Sequence, residues 1–173
     1  MDPSSSVAGV KRNFILQQGL GEPPAASCSA QYSSLLFQPR LVALVVLVAV
    51  ILKSPVLFLV LAGVLWFNAL FPRLNPFDAL YNRTVAARPG RMALSPAPGP
   101  RRFAQGMAGT FALAIGVSLL VGWHPTAIVL EALLILAVGA LVFGSFCLGS
   151  FMFHLLRGRL AFARHTLPWA RAV

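Results

Sequence analysis

Apolar residues in this chain gather into four runs separated by short polar punctuation, the pattern expected of helices that cross a bilayer. The first strong run, Leu41 to Leu52, is shorter than the roughly 20 residues that span a hydrocarbon core of about 30 Å, which leaves a re-entrant segment open. Leu35 to Phe37 extend it, Pro39 is tolerated in a first helical turn, and Arg40 and Lys53 can snorkel to opposite interfaces, so a short span over 35–52 is expected. Lys53-Ser54-Pro55 makes a turn, and Pro55 opens a second helix over 55–71 that completes a hairpin. A third span covers about 103–123 and ends on Gly122-Trp123-His124-Pro125, a tight turn with an aromatic anchor. The fourth, 127–156, would reach about 45 Å at about 1.5 Å per residue, so it has to tilt, kink near its glycines or project from the bilayer.

The segments around these runs are polar. Residues 1–34 are rich in Ser, Gly, Pro and Gln without a sustained period, and read as a flexible arm. The connecting loop, 72–102, carries Arg73, Arg83, Arg88, Arg91, Arg101 and Arg102. Within it Asn75-Pro76-Phe77-Asp78 looks like a helix start, with Asn75 as cap and Asp78 near the positive end of the dipole. Phe77, Leu80, Tyr81 and Thr84 would share one face of that helix, which lies on the membrane surface or packs against the bundle. Residues 157–173 form a basic tail, with Arg157, Arg159, Arg164 and Arg171 interleaved with Leu160, Phe162 and Trp169, suited to an anionic surface. The expected architecture is all-α: four transmembrane helices as two hairpins, joined by a basic loop with a short amphipathic helix.

Composition agrees, with 58% hydrophobic and only 10% charged residues, against about 25% charged in soluble domains. The net charge of +10 bears on topology. With four crossings, all of the 14 Lys and Arg except Lys53 fall on one side, so the positive-inside rule puts both termini in the cytoplasm. Fusing residues 41–71 into one span would instead bury Lys53 at mid-membrane. No nucleic-acid motif accompanies the charge. Arg83, Arg88, Arg101, Arg102, Arg157 and Arg159 are the expected contacts to lipid phosphates. Cys28 and Cys147 cannot build a disulfide framework and read as free thiols, and no apolar run before Cys28 resembles a signal peptide.

Candidate chemistry inside the membrane is thin: Asn68, Glu131, Cys147 and His154, with no catalytic or metal constellation. Glu131, about one turn into the fourth helix, serves either as a proton relay or in capping and interfacial solvation. Ala137, Ala140, Gly144, Cys147, Phe151 and His154 recur at spacings of three and four, one face of a continuous fourth helix. Ala108, Ala112 and Gly116 make a matching ridge on the third, so small-residue packing accounts for Cys147 unless its thiol is reactive. His154 lies too far from Cys147 for a dyad; it is a candidate haem or pigment ligand, or an interfacial hydrogen-bonding group. Asn82-Arg83-Thr84 matches a glycosylation sequon but falls in the loop and is assigned no role.

Three stretches, Asn75-Pro76-Phe77-Asp78-Ala79-Leu80-Tyr81-Asn82, Pro100-Arg101-Arg102-Phe103-Ala104-Gln105-Gly106 and Phe146-Cys147-Leu148-Gly149-Ser150, resemble a family of small bacterial membrane proteins known as domain of unknown function 4395. The resemblance covers about residues 41–156 and implies four helices in a bacterial inner membrane, without an activity. Members often carry a second cysteine where this chain has Ser150, which implies links with thiol or sulfur chemistry; Ser150 removes two-cysteine cycling here. The expected role is therefore a non-catalytic accessory or scaffold subunit that binds other membrane proteins or its own copies beside anionic lipid, with no cofactor. A thiol-handling protein using Cys147 and a haem- or pigment-carrying subunit using His154 are the alternatives.

Overall fold

A computed structural model describes residues 3–88 and 91–170, which form helices and connecting turns with no β-strand among them. In chain order these are α1 (Pro3–Gln17), α2 (Cys28–Leu35), α3 (Phe37–Ile51), α4 (Pro55–Leu70), a 3-10 turn (Pro72–Leu74), α5 (Pro76–Thr84), α6 (Gly99–Leu120), α7 (His124–Gly144), α8 (Leu148–Leu156) and α9 (Leu160–His165). Three segments are long and apolar enough to cross a membrane: Cys28–Ile51, Gly99–Leu120 and His124–Gly144. Helix α4 supplies a fourth when taken with Pro72–Thr84, across a bend of 120°. The chain is thus an all-helical, multi-pass membrane protein.

Helices α4 and α6 run antiparallel at close range, and two glycines allow it. A Cβ on Gly109 would lie 2.8 Å from Trp66 Cδ1, and one on Gly116 would lie 2.9 Å from Leu59 and 3.2 Å from the Pro55 carbonyl. Without a hydrophobic effect between helices in lipid, such backbone approach supplies the van der Waals contact that holds them together. Around this pair Val42, Val46 and Ala49 of α3, Phe58, Leu61 and Leu65 of α4, Ala112 and Ile115 of α6 and Leu134 of α7 form one core. Helices α3 and α7 are also antiparallel: Tyr32 meets Ser145 at one end, and Lys53 approaches Glu131 at the other. The ends of the bundle are therefore unlike. One gathers α1, α2, α5, α8 and the start of α6; the other holds only the two tight turns at Lys53 and Gly122.

Four expectations are corrected. The polar arm, residues 1–34, is not flexible throughout: it is helical over Pro3–Gln17 and Cys28–Leu35, and Phe14 and Ile15 are buried against Leu35 and Leu36. Because α2 continues into α3, the first span starts at Cys28 rather than at 35, and its length is no longer short. The third helix begins at Gly99, four residues ahead of 103. Finally, the fourth helix is not continuous over 127–156. Ser145 takes a left-handed conformation at φ 52°, Phe146 N–H bonds back to the Ala140 carbonyl, and a new helix starts at Leu148.

That break dissolves the expected face from Ala137 to His154. Gly144 is exposed with no atom near a Cβ built on it, whereas Ala137 and Ala140 are half-buried. Ala112 lies in the core with Ala108 packed beside it, and the close approach of the second half of the chain is made at Gly149 instead.

Candidate functional site

The site sits at the crowded end of the bundle. It begins with Arg101, in the first turn of α6, and Gln105 one turn later on the same face. Both side chains are buried and converge on Gln38 of α3. Gln38 Oε1 accepts from Arg101 Nη2 at 2.8 Å and from Gln105 Nε2 at 2.9 Å. Arg101 Nη2 also meets Asp78 Oδ1 at 2.8 Å in a buried ion pair. Asp78 is held in turn by Asn75 Nδ2 at 3.1 Å, while Asn75 Oδ1 caps α5 by accepting from Phe77 N at 3.0 Å.

Chemistry fixes the amide orientations. Arginine only donates, so the Gln38 atom facing Arg101 is its oxygen; the Gln105 atom facing that oxygen is then the nitrogen. Gln105 Oε1 is left as the free end, buried and without a partner.

Beneath this cluster α1 supplies a floor. Gln17, fully buried, accepts from Cys147 N with Oε1 at 2.8 Å, and its carbonyl accepts from His154 Nε2 at 3.1 Å. Asn13 donates to the carbonyls of Leu167 and Ala170, which ties α1 to the C-terminal segment. Cys147 is a buried free thiol at the cap position of α8, and Ser150 follows one turn later with an unpartnered hydroxyl.

Two cavities meet at Cys147. One, about 80 Å³, is lined by Phe14 and Gln18 of α1, Gln38, Arg101 and Gln105. The other, about 340 Å³, is an apolar groove between α6, α7 and α8, lined by Met107, Phe111, Leu133 and Met152. Ala104, Ala108, Val138, Leu141 and Cys147 line both, so the thiol and two small residues stand between a polar-headed chamber and a greasy slot.

The other residues marked from the sequence scatter. Arg101 is a correction: it is ion-paired inside the protein and unavailable to lipid phosphate. Its acid partner also turns the polar side of α5 inward, so Asp78 and Tyr81 are buried while Leu80 and Thr84 are exposed. Arg83, Arg88 and Arg159 are exposed. Arg102 and Arg157 border a separate lateral groove of about 590 Å³ with Trp66 and Phe153, and Arg157 stacks over Phe153 at 5.0 Å. Arg171 lies outside the described residues. Glu131 is buried at the far end, its Oε2 3.9 Å from Lys53 Nζ and its Oε1 unpartnered, beside a cavity of about 400 Å³ with His124. Among the described residues no group of three His, Cys, Asp or Glu side chains could hold a metal.

His154 is enclosed rather than interfacial. Its ring is flanked by Phe153 and Phe162, Nε2 donates to Gln17, and Nδ1 is buried without a partner. It lines none of the cavities above. Burial holds the imidazole below its ordinary value, with Arg159 adding to the effect and the Gln17 bond opposing it. The folded state therefore favours the neutral ring. Its contribution to stability is complete above the ordinary value of 6.5 and is lost as pH falls through the lower folded value. Thermal unfolding in detergent is expected to shift downward as pH falls below 6.5, and the His154→Gln variant should lose that dependence.

Residues 33–158 match the family model described as Domain of unknown function (DUF4395). No curated protein and no solved structure matches the chain.

Proposed function

The chain belongs to the DUF4395 family, and on that premise we propose that it is a non-catalytic membrane protein that binds an amphipathic molecule of the bilayer between α6, α7 and α8. One observation carries this: an apolar groove and a polar-headed chamber share the same small-residue wall at Cys147. Ligand sites are mostly apolar with a few placed polar groups, and this pair has that composition. A tail would enter sideways from the lipid and the head would come to rest under Gln105. The crowded end, which carries the basic segments, is read as cytoplasmic, and exposed Arg83, Arg88, Arg102, Arg157 and Arg159 as contacts to anionic lipid.

Two features favour narrower versions. Cys147 on the common wall favours a thiol that senses or handles the bound molecule. Helix α7 buries only 22% of its span, against 39% for the other two, and leaves Phe143 90% exposed, which favours an accessory subunit docked on that face or a second copy there.

Native mass spectrometry of the protein in mild detergent tests the main reading. A retained mass of lipid size is expected, and it should disappear in Ala108→Phe, whose side chain enters the wall between the cavities. Retention of the same mass by that variant, or release of a bare chain from the wild type, would refute the reading; a heavier assembly would bring the accessory version forward.

A further inference from the structure

We propose that the lateral groove between α4, α6 and α8 is a discrete site for an anionic phospholipid, with the headgroup phosphate at Arg102 and Arg157 and an acyl chain along α6. The inference rests on the reading of this end as a contact for anionic lipid, and is independent of the molecule between α6, α7 and α8. The groove, about 590 Å³, is lined by the end of α4 at Trp66 and Leu70, by residues of α6 between Gly99 and Phe111, and by Phe153 and Arg157 at the end of α8. Phe153 joins its two sides: a Cβ on Gly99 would lie 3.3 Å from this ring, Phe103 packs on it at 5.8 Å, and Arg157 lies over it at 5.0 Å. Arg102 is fixed by donation from Nε to the Ala69 carbonyl at 2.7 Å, which leaves its two Nη groups for another acceptor.

The side chains of the groove carry donors in surplus. Besides the two guanidiniums, Trp66 brings an indole N–H, Thr110 spends its hydroxyl hydrogen on the Gly106 carbonyl at 2.9 Å, and the Met107 sulfur is a weak acceptor. No acid lines it: Glu22 pairs with Arg12, Asp78 with Arg101, and Glu131 approaches Lys53 at the opposite end of the bundle. Two cations without a counter-charge among the described residues, set beside an apolar wall, call for an anion that carries an apolar body. Guanidinium groups match phosphate oxygens with paired N–H donors. Both arginines stand at helix ends, where headgroups lie, and Thr110 is about 12 Å deeper along α6 at about 1.5 Å per residue. A free phosphate would leave that wall uncovered, so the lipid is the occupant. Arg83, Arg88 and Arg159, by contrast, border none of the cavities described above.

A lipid in an open groove exchanges with detergent, so the test uses the full chain in nanodiscs. The probe is phosphatidylglycerol with a photoreactive acyl chain, compared with phosphatidylcholine carrying the same chain. Labelling by phosphatidylglycerol is expected to be about tenfold greater, within what two arginines near an anionic headgroup supply. Peptide mapping should place it around Trp66, Met107 and Phe111. The double variant Arg102→Gln, Arg157→Gln should lose the excess, whereas Arg83→Gln, Arg88→Gln, which removes the same charge, should keep it. Gly106→Leu, which fills the groove beside Trp66 and leaves both arginines, should lose labelling there by either lipid. The main comparison uses the wild-type chain, so a folding defect in a variant leaves the test standing.

An excess spread over α2, α5 and α9 that falls equally in the two double variants would overturn the discrete site while keeping this end as a surface for anionic lipid. Equal labelling by both lipids everywhere would overturn the site and that reading together. Displacement of the probe by inorganic phosphate would assign the arginines to a soluble anion and end the lipid assignment. Ala108→Phe lies outside this groove and should leave its labelling unchanged; loss in that variant would place the label between α6, α7 and α8 instead.

Discussion

Replacing Arg101 by methionine is expected to destabilise the protein by about 3–5 kcal/mol, the usual cost of removing one partner from a buried ion pair. The loss is large because it strands two groups. Asp78 is left a buried carboxyl with only Asn75 beside it, and Gln38 Oε1 loses a 2.8 Å charged donor. The pair itself is a modest source of stability, because the desolvation of two charges offsets most of their attraction. A double variant that also replaces Asp78 by asparagine should therefore recover much of the loss. Denaturant unfolding in mixed micelles, followed by far-UV circular dichroism, measures both. A double variant no more stable than the single would show that Arg101 acts through Gln38 alone.

The second large effect is steric. Gly149→Ala puts a Cβ 2.7 Å from both Cα and Cβ of Ala104, and the Cα belongs to the α6 backbone, which cannot rotate away. A shift of α8 or α6 has to follow, with a cost of about 1–3 kcal/mol. Ala104→Gly in the same chain removes one of the two clashes and should restore part of the loss. The shift also moves the wall that Cys147 and Ala104 give to both cavities, so retention of a bound lipid should weaken with stability. Unchanged unfolding and unchanged retention would mean that α8 is held less firmly than this contact implies.

The membrane helices were legible because each is a long apolar run flanked by polar residues, a signal summed over many positions. The break in the fourth helix was not. It depends on Ser145, a residue with no strong preference for the left-handed conformation, and it is secured from elsewhere: Tyr32 hydroxyl lies 2.6 Å from Ser145 Oγ, and Gln17 holds the Cys147 amide. Neither partner is local, so no period or turn signature announces it. The arm escaped for a similar reason. Phe14 and Ile15 give it one short apolar cluster, too little to order it alone, and the partners that bury it lie in the first span and beyond.

The site was half visible. Cys147 stood out as a thiol in an apolar stretch, and the structure sets it between two cavities. Gln38 and Gln17 stand in no motif, and Gln105 enters only as part of one, although polar amides at the ends of apolar helices are a usable sign of a buried network. Counting cations alone puts Arg101 at the lipid surface. Asp78 is one of only four acids in the chain, and an acid placed among so many arginines was the available hint that one of them would be drawn inward.

The bonds from Asn13 to Leu167 and Ala170 join positions 154 and 157 residues apart. During synthesis those partners do not exist until every span has emerged, so the N-terminal helix waits, unclosed, while the rest of the chain enters the membrane. Contacts this distant in sequence are the slowest to form, because the entropy of a very long loop is lost before any of them stabilises the fold. Closing Asn13 onto the C-terminal segment is then a late event of biogenesis, and until it happens α1 is held at its near end alone, by Phe14 and Ile15 against Leu35 and Leu36.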